Sequence, residues 1–173
     1  PAGSIERTNA RKEEIINACE KLYHTMSFKE ITLKEISRET TFSRTSIYNY
    51  FQTKEEIFLA LLKREYDLWI LKMEKMIGRK EAMSNDEIAD VLARTLDERR
   101  QLLKIMSMNH YDLEENSRIE LLTEFKASYG KALKTVMQIL ERFRPDMDFK
   151  KREEFIYSFF PFMFGIYPYT VVT

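Results

Sequence analysis

Between residues 44 and 54 the chain concentrates side chains able to read a nucleic-acid duplex. Ile47 and Phe51 stand four apart, so on a helix they share one face and turn inward. The remaining positions, Arg44, Thr45, Ser46, Tyr48, Asn49 and Tyr50, then face outward. Arginine can grip a guanine edge through two donors and asparagine an adenine edge; Thr, Ser or Tyr can bond phosphates or pack on a thymine methyl. Lys54 opens the next helix, where unpaired backbone N–H groups already favour an anion, and Lys34 does the same in the first turn of the preceding helix. The chemistry on offer is recognition of double-stranded DNA by a helix over about 44–50.

Other chemistries find little support in 173 residues. One cysteine, Cys19, gives neither a disulfide framework nor a CxxC zinc site, and on an apolar helical stripe it reads as a small buried hydrophobe. His24 and His110 lack a glutamate three residues earlier, so no di-metal helix motif can be written. The four glycines stand alone, which excludes glycine-rich phosphate loops. No catalytic residues, cofactor or metal are expected. The 28 basic residues balance 28 acidic ones, and residues 1–56 alone hold nine of each, so non-specific attraction to DNA is weak unless the docking face carries the positive charge.

These side chains need helices to position them. Ile15, Ala18, Cys19, Leu22 and Tyr23 mark a first helix over about residues 8–24, and Pro1-Ala2-Gly3-Ser4 is set aside from the fold reading. Thr32-Leu33-Lys34-Glu35 and Thr53-Lys54-Glu55-Glu56 have capping-box spacing and open a short helix and a long one. Ser84 caps a helix carrying Ile88, Val91, Leu92 and Leu96, and Gln101–Met108 reads as its continuation after a bend. Asp112–Asn116 reads as a polar loop, Ser117 caps a long helix to about Phe143, and Asp148 starts a last one kinked at Pro161. The expectation is all-α: a helix-turn-helix over residues 5–52 and a helical ligand-binding and dimerisation region over 53–173. Two prolines within the apolar stretch 155–172 argue for a buried helix rather than a membrane span.

The string Ile47-Tyr48-Asn49-Tyr50-Phe51-Gln52-Thr53-Lys54-Glu55-Glu56-Ile57, preceded by Phe28-Lys29-Glu30-Ile31-Thr32-Leu33, resembles the DNA-binding region of the tetracycline-repressor (TetR) family over about residues 8–60. The resemblance implies a cytoplasmic homodimeric repressor that binds an inverted-repeat operator and is released by a small apolar or aromatic effector. By that likeness Arg44, Thr45, Ser46, Tyr48, Asn49 and Tyr50 are contact positions and Lys54 the phosphate lysine. Family members commonly carry glycine where this chain has Ser27 and Thr41; a positive φ at β-branched Thr41 would be strained. The family also usually continues one helix beyond the position of Thr173.

The resemblance implies a dimer interface from the last helices, which suits the aromatic surplus of Phe155–Phe164. It also implies an effector pocket, for which Tyr66, Trp69, Met73, Met106, Tyr111, Phe125, Tyr129 and Phe159 are the candidate lining residues. The competing expectation is a relative that has lost DNA binding and works through a protein partner.

Overall fold

The computed structural model describes residues 2–78, 82–108 and 110–171, and every regular element among them is an α-helix. The elements are α1 (Ala2–Tyr23), α2 (Leu33–Arg38), α3 (Arg44–Ile47), α4 (Lys54–Ile77), α5 (Asn85–Asp97), α6 (Arg100–Met106), α7 (His110–Glu115), α8 (Ile119–Phe143) and α9 (Phe149–Thr170). They form two compact units: Pro1–Leu61 with His110–Thr123, and Leu62–Asn109 with Glu124–Thr173. The first unit therefore borrows a segment from far along the chain, which a single cut after residue 52 does not anticipate.

In the first unit α2 packs against both α1 and α3. Ile15, Cys19, Tyr23, Ile31, Ile36, Ile47, Phe51 and Phe58 are almost wholly buried there. Tyr23 and Phe28 meet the Phe58 ring edge-on, at 5.1 and 4.8 Å between centroids. α1 starts near residue 2 rather than residue 8, so the segment set aside at the start of the chain is helical from Ala2 on, with Thr8 Oγ1 donating to the Ser4 carbonyl. The α2–α3 turn holds no positive φ among the described residues, so Thr41 escapes the strain expected of it. Its backbone N–H and its hydroxyl both donate to Glu14 on α1, at 2.7 and 2.8 Å. A side chain from the bracing helix thus does the work that glycine's conformational freedom would otherwise do.

Of the segment 112–116, expected as a polar loop, residues 112–115 are helical and form most of α7. Leu113, buried at 1%, is its single anchor, too sparse a pattern to show as periodicity. Its last carbonyls are satisfied locally: Asn116 Nδ2 donates to Asp112 O and Ser117 Oγ to Leu113 O. Ser117 is therefore spent on α7 and does not cap α8 as its spacing suggested. The Ser84–Glu87 and Asp148 caps form as expected.

The second unit is built around α6 packed against α5 and α9. Tyr66, Trp69, Phe125, Tyr129 and Phe160 interlock with neighbouring centroids 5.7–6.4 Å apart. α9 continues through Pro161 and Pro168. No helix among the described residues is long and apolar enough to cross a membrane.

Trp69, the single tryptophan, donates from its indole nitrogen to Thr95 Oγ1 at 3.0 Å inside this core. Replacing Thr95 with Val keeps the shape but strands the indole N–H without an acceptor. Urea unfolding followed by Trp69 fluorescence should show Thr95→Val losing about 1–3 kcal/mol. An unchanged midpoint and slope would contradict the role assigned to this bond.

Candidate nucleic-acid interface

α3 owes its start to Ser43, whose hydroxyl accepts the Ser46 N–H at 3.2 Å. After four residues the helix tightens, with Asn49 N–H reaching Ser46 O and Tyr50 N–H reaching Ile47 O. Ile47 and Phe51, at 0% and 1% exposure, anchor this short segment. Burying that pair turns Arg44, Thr45, Tyr48 and Asn49 outward, and all four are exposed.

Ser46 and Tyr50 are half-buried and already engaged. The Ser46 hydroxyl shares a hydrogen bond with Ser43 Oγ, and the Tyr50 hydroxyl accepts from Arg11 Nη1 at 3.0 Å. Arg11 also stacks over Phe42 at 5.7 Å. It is a cation beside the end of α3 that sequence reasoning missed; its separation of 39 residues from Tyr50 left no local signal.

Lys34, Arg44 and Lys54 come from three different helices yet line one cleft of about 500 Å³, together with Thr32, Thr53 and the carboxylate-bearing Glu55. Lys54 is less available than its position implied. Its ammonium donates to Phe28 O at 2.6 Å and Ile31 O at 3.0 Å and lies 4.1 Å from the Phe28 ring centroid. Two of its three donors therefore tie the start of α4 to the α1–α2 connection, and burial pulls its pKa below the usual lysine range.

The start of α4 departs from a reciprocal capping box. Thr53 Oγ1 accepts the Glu56 N–H, but the Glu56 carboxylate reaches past Thr53 to the Gln52 N–H at 2.6 Å. Its other donors come from Arg118: the backbone N–H and Nε at 2.9 Å, and Nη2 at 3.1 Å. Glu56 is 1% exposed, yet its pKa is held below the ordinary value: burial raises it, and the bonds from Arg118 and Gln52 outweigh that.

The family profile described as bacterial regulatory proteins, tetR family, matches residues 15–61, which hold Lys34, α3, Lys54 and Glu56 but neither Arg11 nor Arg118. The tetracyclin repressor-like C-terminal domain profile matches residues 63–173, more than half of the chain. The chain belongs to the TetR family. Every regular element among its described residues is a helix, as the sequence implied. A curated relative, the uncharacterized HTH-type transcriptional regulator YfiR of Bacillus subtilis (strain 168), is 29% identical over 75 residues. That match covers 43% of this chain and 37% of YfiR, so the chain spans well under two thirds of that relative.

Within this TetR-family chain the eight residues expected to line a pocket do not stay together. Tyr66, Trp69, Met73, Met106 and Phe125 are buried core, and Tyr129 joins the aromatic cluster. Tyr111 falls on α7 in the first unit and is 75% exposed. Phe159 alone of the eight lines an apolar cavity of about 550 Å³ between α5, the end of α8 and α9, with Ile88, Leu92, Leu140 and Phe155 among its walls. The Phe159 ring meets Phe160 of the cluster edge-on at 5.8 Å. The Tyr66 hydroxyl is buried with no hydrogen-bond partner, and burial raises its pKa. No group of three or more metal-ligating side chains occurs among the described residues.

The Glu14–Thr41 clamp makes a pH prediction. Its two Thr41 bonds, backbone first, hold the Glu14 pKa below the ordinary 4.5. A lowered native pKa means the stabilisation is full above the ordinary value and is lost as pH falls through the native one. Glu14→Gln should therefore be less stable than wild type at pH 7, with the difference shrinking as pH drops below about 4. Paired thermal melts across pH 3–7 measure this; a constant difference across the range would refute it.

Proposed function

We propose that the protein is a repressor that binds an inverted-repeat operator as a homodimer, each copy presenting Arg44, Thr45, Tyr48 and Asn49 to one half-site. The observation that carries this reading is the sorting of α3: its two apolar residues are buried and its donor-bearing residues are exposed together. Lys34, Arg44 and Arg11 supply positive charge where the overall balance supplies none, so affinity comes from the docking face rather than from net charge. Lys54 contributes its remaining donor and the geometry of the cleft. Pairing is supported by α9, where Tyr157 and Phe162 are 72% and 60% exposed, a surplus of aromatic surface suited to a two-fold helix interface.

The effector reading rests on the α5–α8–α9 cavity, whose size suits a small apolar ligand. Ligand bound there would favour a helix arrangement poorer at meeting the operator, so that DNA and effector oppose each other through one coupling free energy.

Selection of duplexes from a randomised library by the purified protein, followed by affinity measurements over a salt series, tests the DNA reading. Wild type should enrich an inverted repeat. Arg44→Ala should weaken binding by about 1–3 kcal/mol at that position, and Arg44→Ala with Asn49→Ala should abolish it without changing the dimer mass. If no duplex is enriched while a protein partner is bound through a surface that survives both changes, the co-regulator reading takes over.

A thermal-shift screen of small apolar and aromatic compounds tests the cavity. A true ligand at 100 times its Kd should raise stability by about 2.7 kcal/mol. Ala93→Phe, which fills the cavity from its exposed rim, should remove the shift; a shift that persists in this variant would place the ligand elsewhere.

A further inference from the structure

Arg118 lies 68 residues beyond Tyr50 and 62 beyond Glu56, outside any helix-turn-helix motif, yet its guanidinium holds both. Nη2 donates to the Tyr50 carbonyl at 3.0 Å while Nε and Nη2 engage the two Glu56 oxygens. The Tyr50 carbonyl closes the recognition segment and has no following helical turn to bond it. A four-residue helix also fixes its own direction poorly, because so few internal bonds offset the cost of nucleation. A second bridge runs beside the first: Thr53 Oγ1 donates to Asn116 O at 2.8 Å. Residues 50–56 are thereby tied to residues 116–118 by polar contacts, three of which end on the buried Glu56 carboxylate.

We infer that Arg118 is a positioning residue for DNA reading: by gripping Glu56 and the Tyr50 carbonyl together, it sets the angle at which α3 presents Arg44–Asn49. This rests on the proposed DNA-binding function. Arg118 immediately precedes α8, so the grip links the recognition segment to the first turn of that helix, and a rotation of that turn is felt at Tyr50. A lysine could keep the charge but has no planar fork to reach both Glu56 oxygens and the carbonyl at once.

The test uses the full-length chain, duplexes enriched by wild type, and amide hydrogen exchange. Arg118→Gln should weaken duplex binding about tenfold, equal to one misaligned base contact, with the salt dependence unchanged. Exchange at Tyr50, Phe51 and Gln52 should quicken in the same variant. Arg118→Lys should show both effects, more weakly, and carries the test should Arg118→Gln fail to fold. Wild-type affinity and exchange in the variants would overturn the inference. So would a salt slope reduced by about one phosphate, which would make Arg118 a DNA contact rather than a positioning group. Should wild type enrich no duplex, the proposed function fails separately. Faster exchange at Gln52 in Arg118→Lys would still support the clamp, and unchanged exchange would overturn it.

Discussion

A carboxylate shut away from water must either give up its charge or collect donors, and Glu56 collects them. Gln52 offers one from the turn before α4, and Arg118 offers three from the turn before α8. Removing Arg118 would leave the buried Glu56 carboxylate without three of its four donors, whereas Arg118, 41% exposed, could turn to water if Glu56 were lost. The arrangement therefore behaves as a specification of geometry more than as a source of net stability. It ties residue 118 to the unit that carries α3, to which residues 110–123 belong.

The same economy of polar contacts recurs through that unit. α2 and α3 are too short to hold themselves, and each is fixed from outside by a charged side chain. Glu14 receives both donors of Thr41 at the turn between them, and Lys54 caps the carbonyls of Phe28 and Ile31 ahead of α2. Ile36, Ile47 and Phe51 supply the apolar anchor beneath. With the small helices pinned at their ends and undersides, their outer faces are left to side-chain donors that no described residue engages. Arg44, Thr45, Tyr48 and Asn49 are exposed because every other duty near them is assigned to another residue.

The second unit follows a different rule. Its interior is aromatic and thioether-rich, and five rings interlock where the residue types alone pointed to a ligand pocket. Composition cannot separate a filled core from a lined cavity, since both call for the same side chains. Phe159 faces the cavity while Phe160, its neighbour, faces the cluster, and only the angle of α9 against α5 and α6 makes that distinction.

Local chemistry determined much of this protein from the sequence alone. Helical periodicity, the Ser84 and Asp148 caps, the inward pair Ile47 and Phe51, and the motif through Ile57 all act within a few residues, where spacing translates directly into structure. Tertiary structure decided what depends on contacts across tens of residues. It drew Arg11 to Tyr50, turned Glu56 from its own helix cap toward Arg118, and closed the α2–α3 turn through Glu14 instead of a glycine. It also made a helix of residues 110–115 around Leu113 alone. A charged side chain carries no mark in the sequence of which distant partner will claim it, because that choice is made only when burial removes water as the alternative.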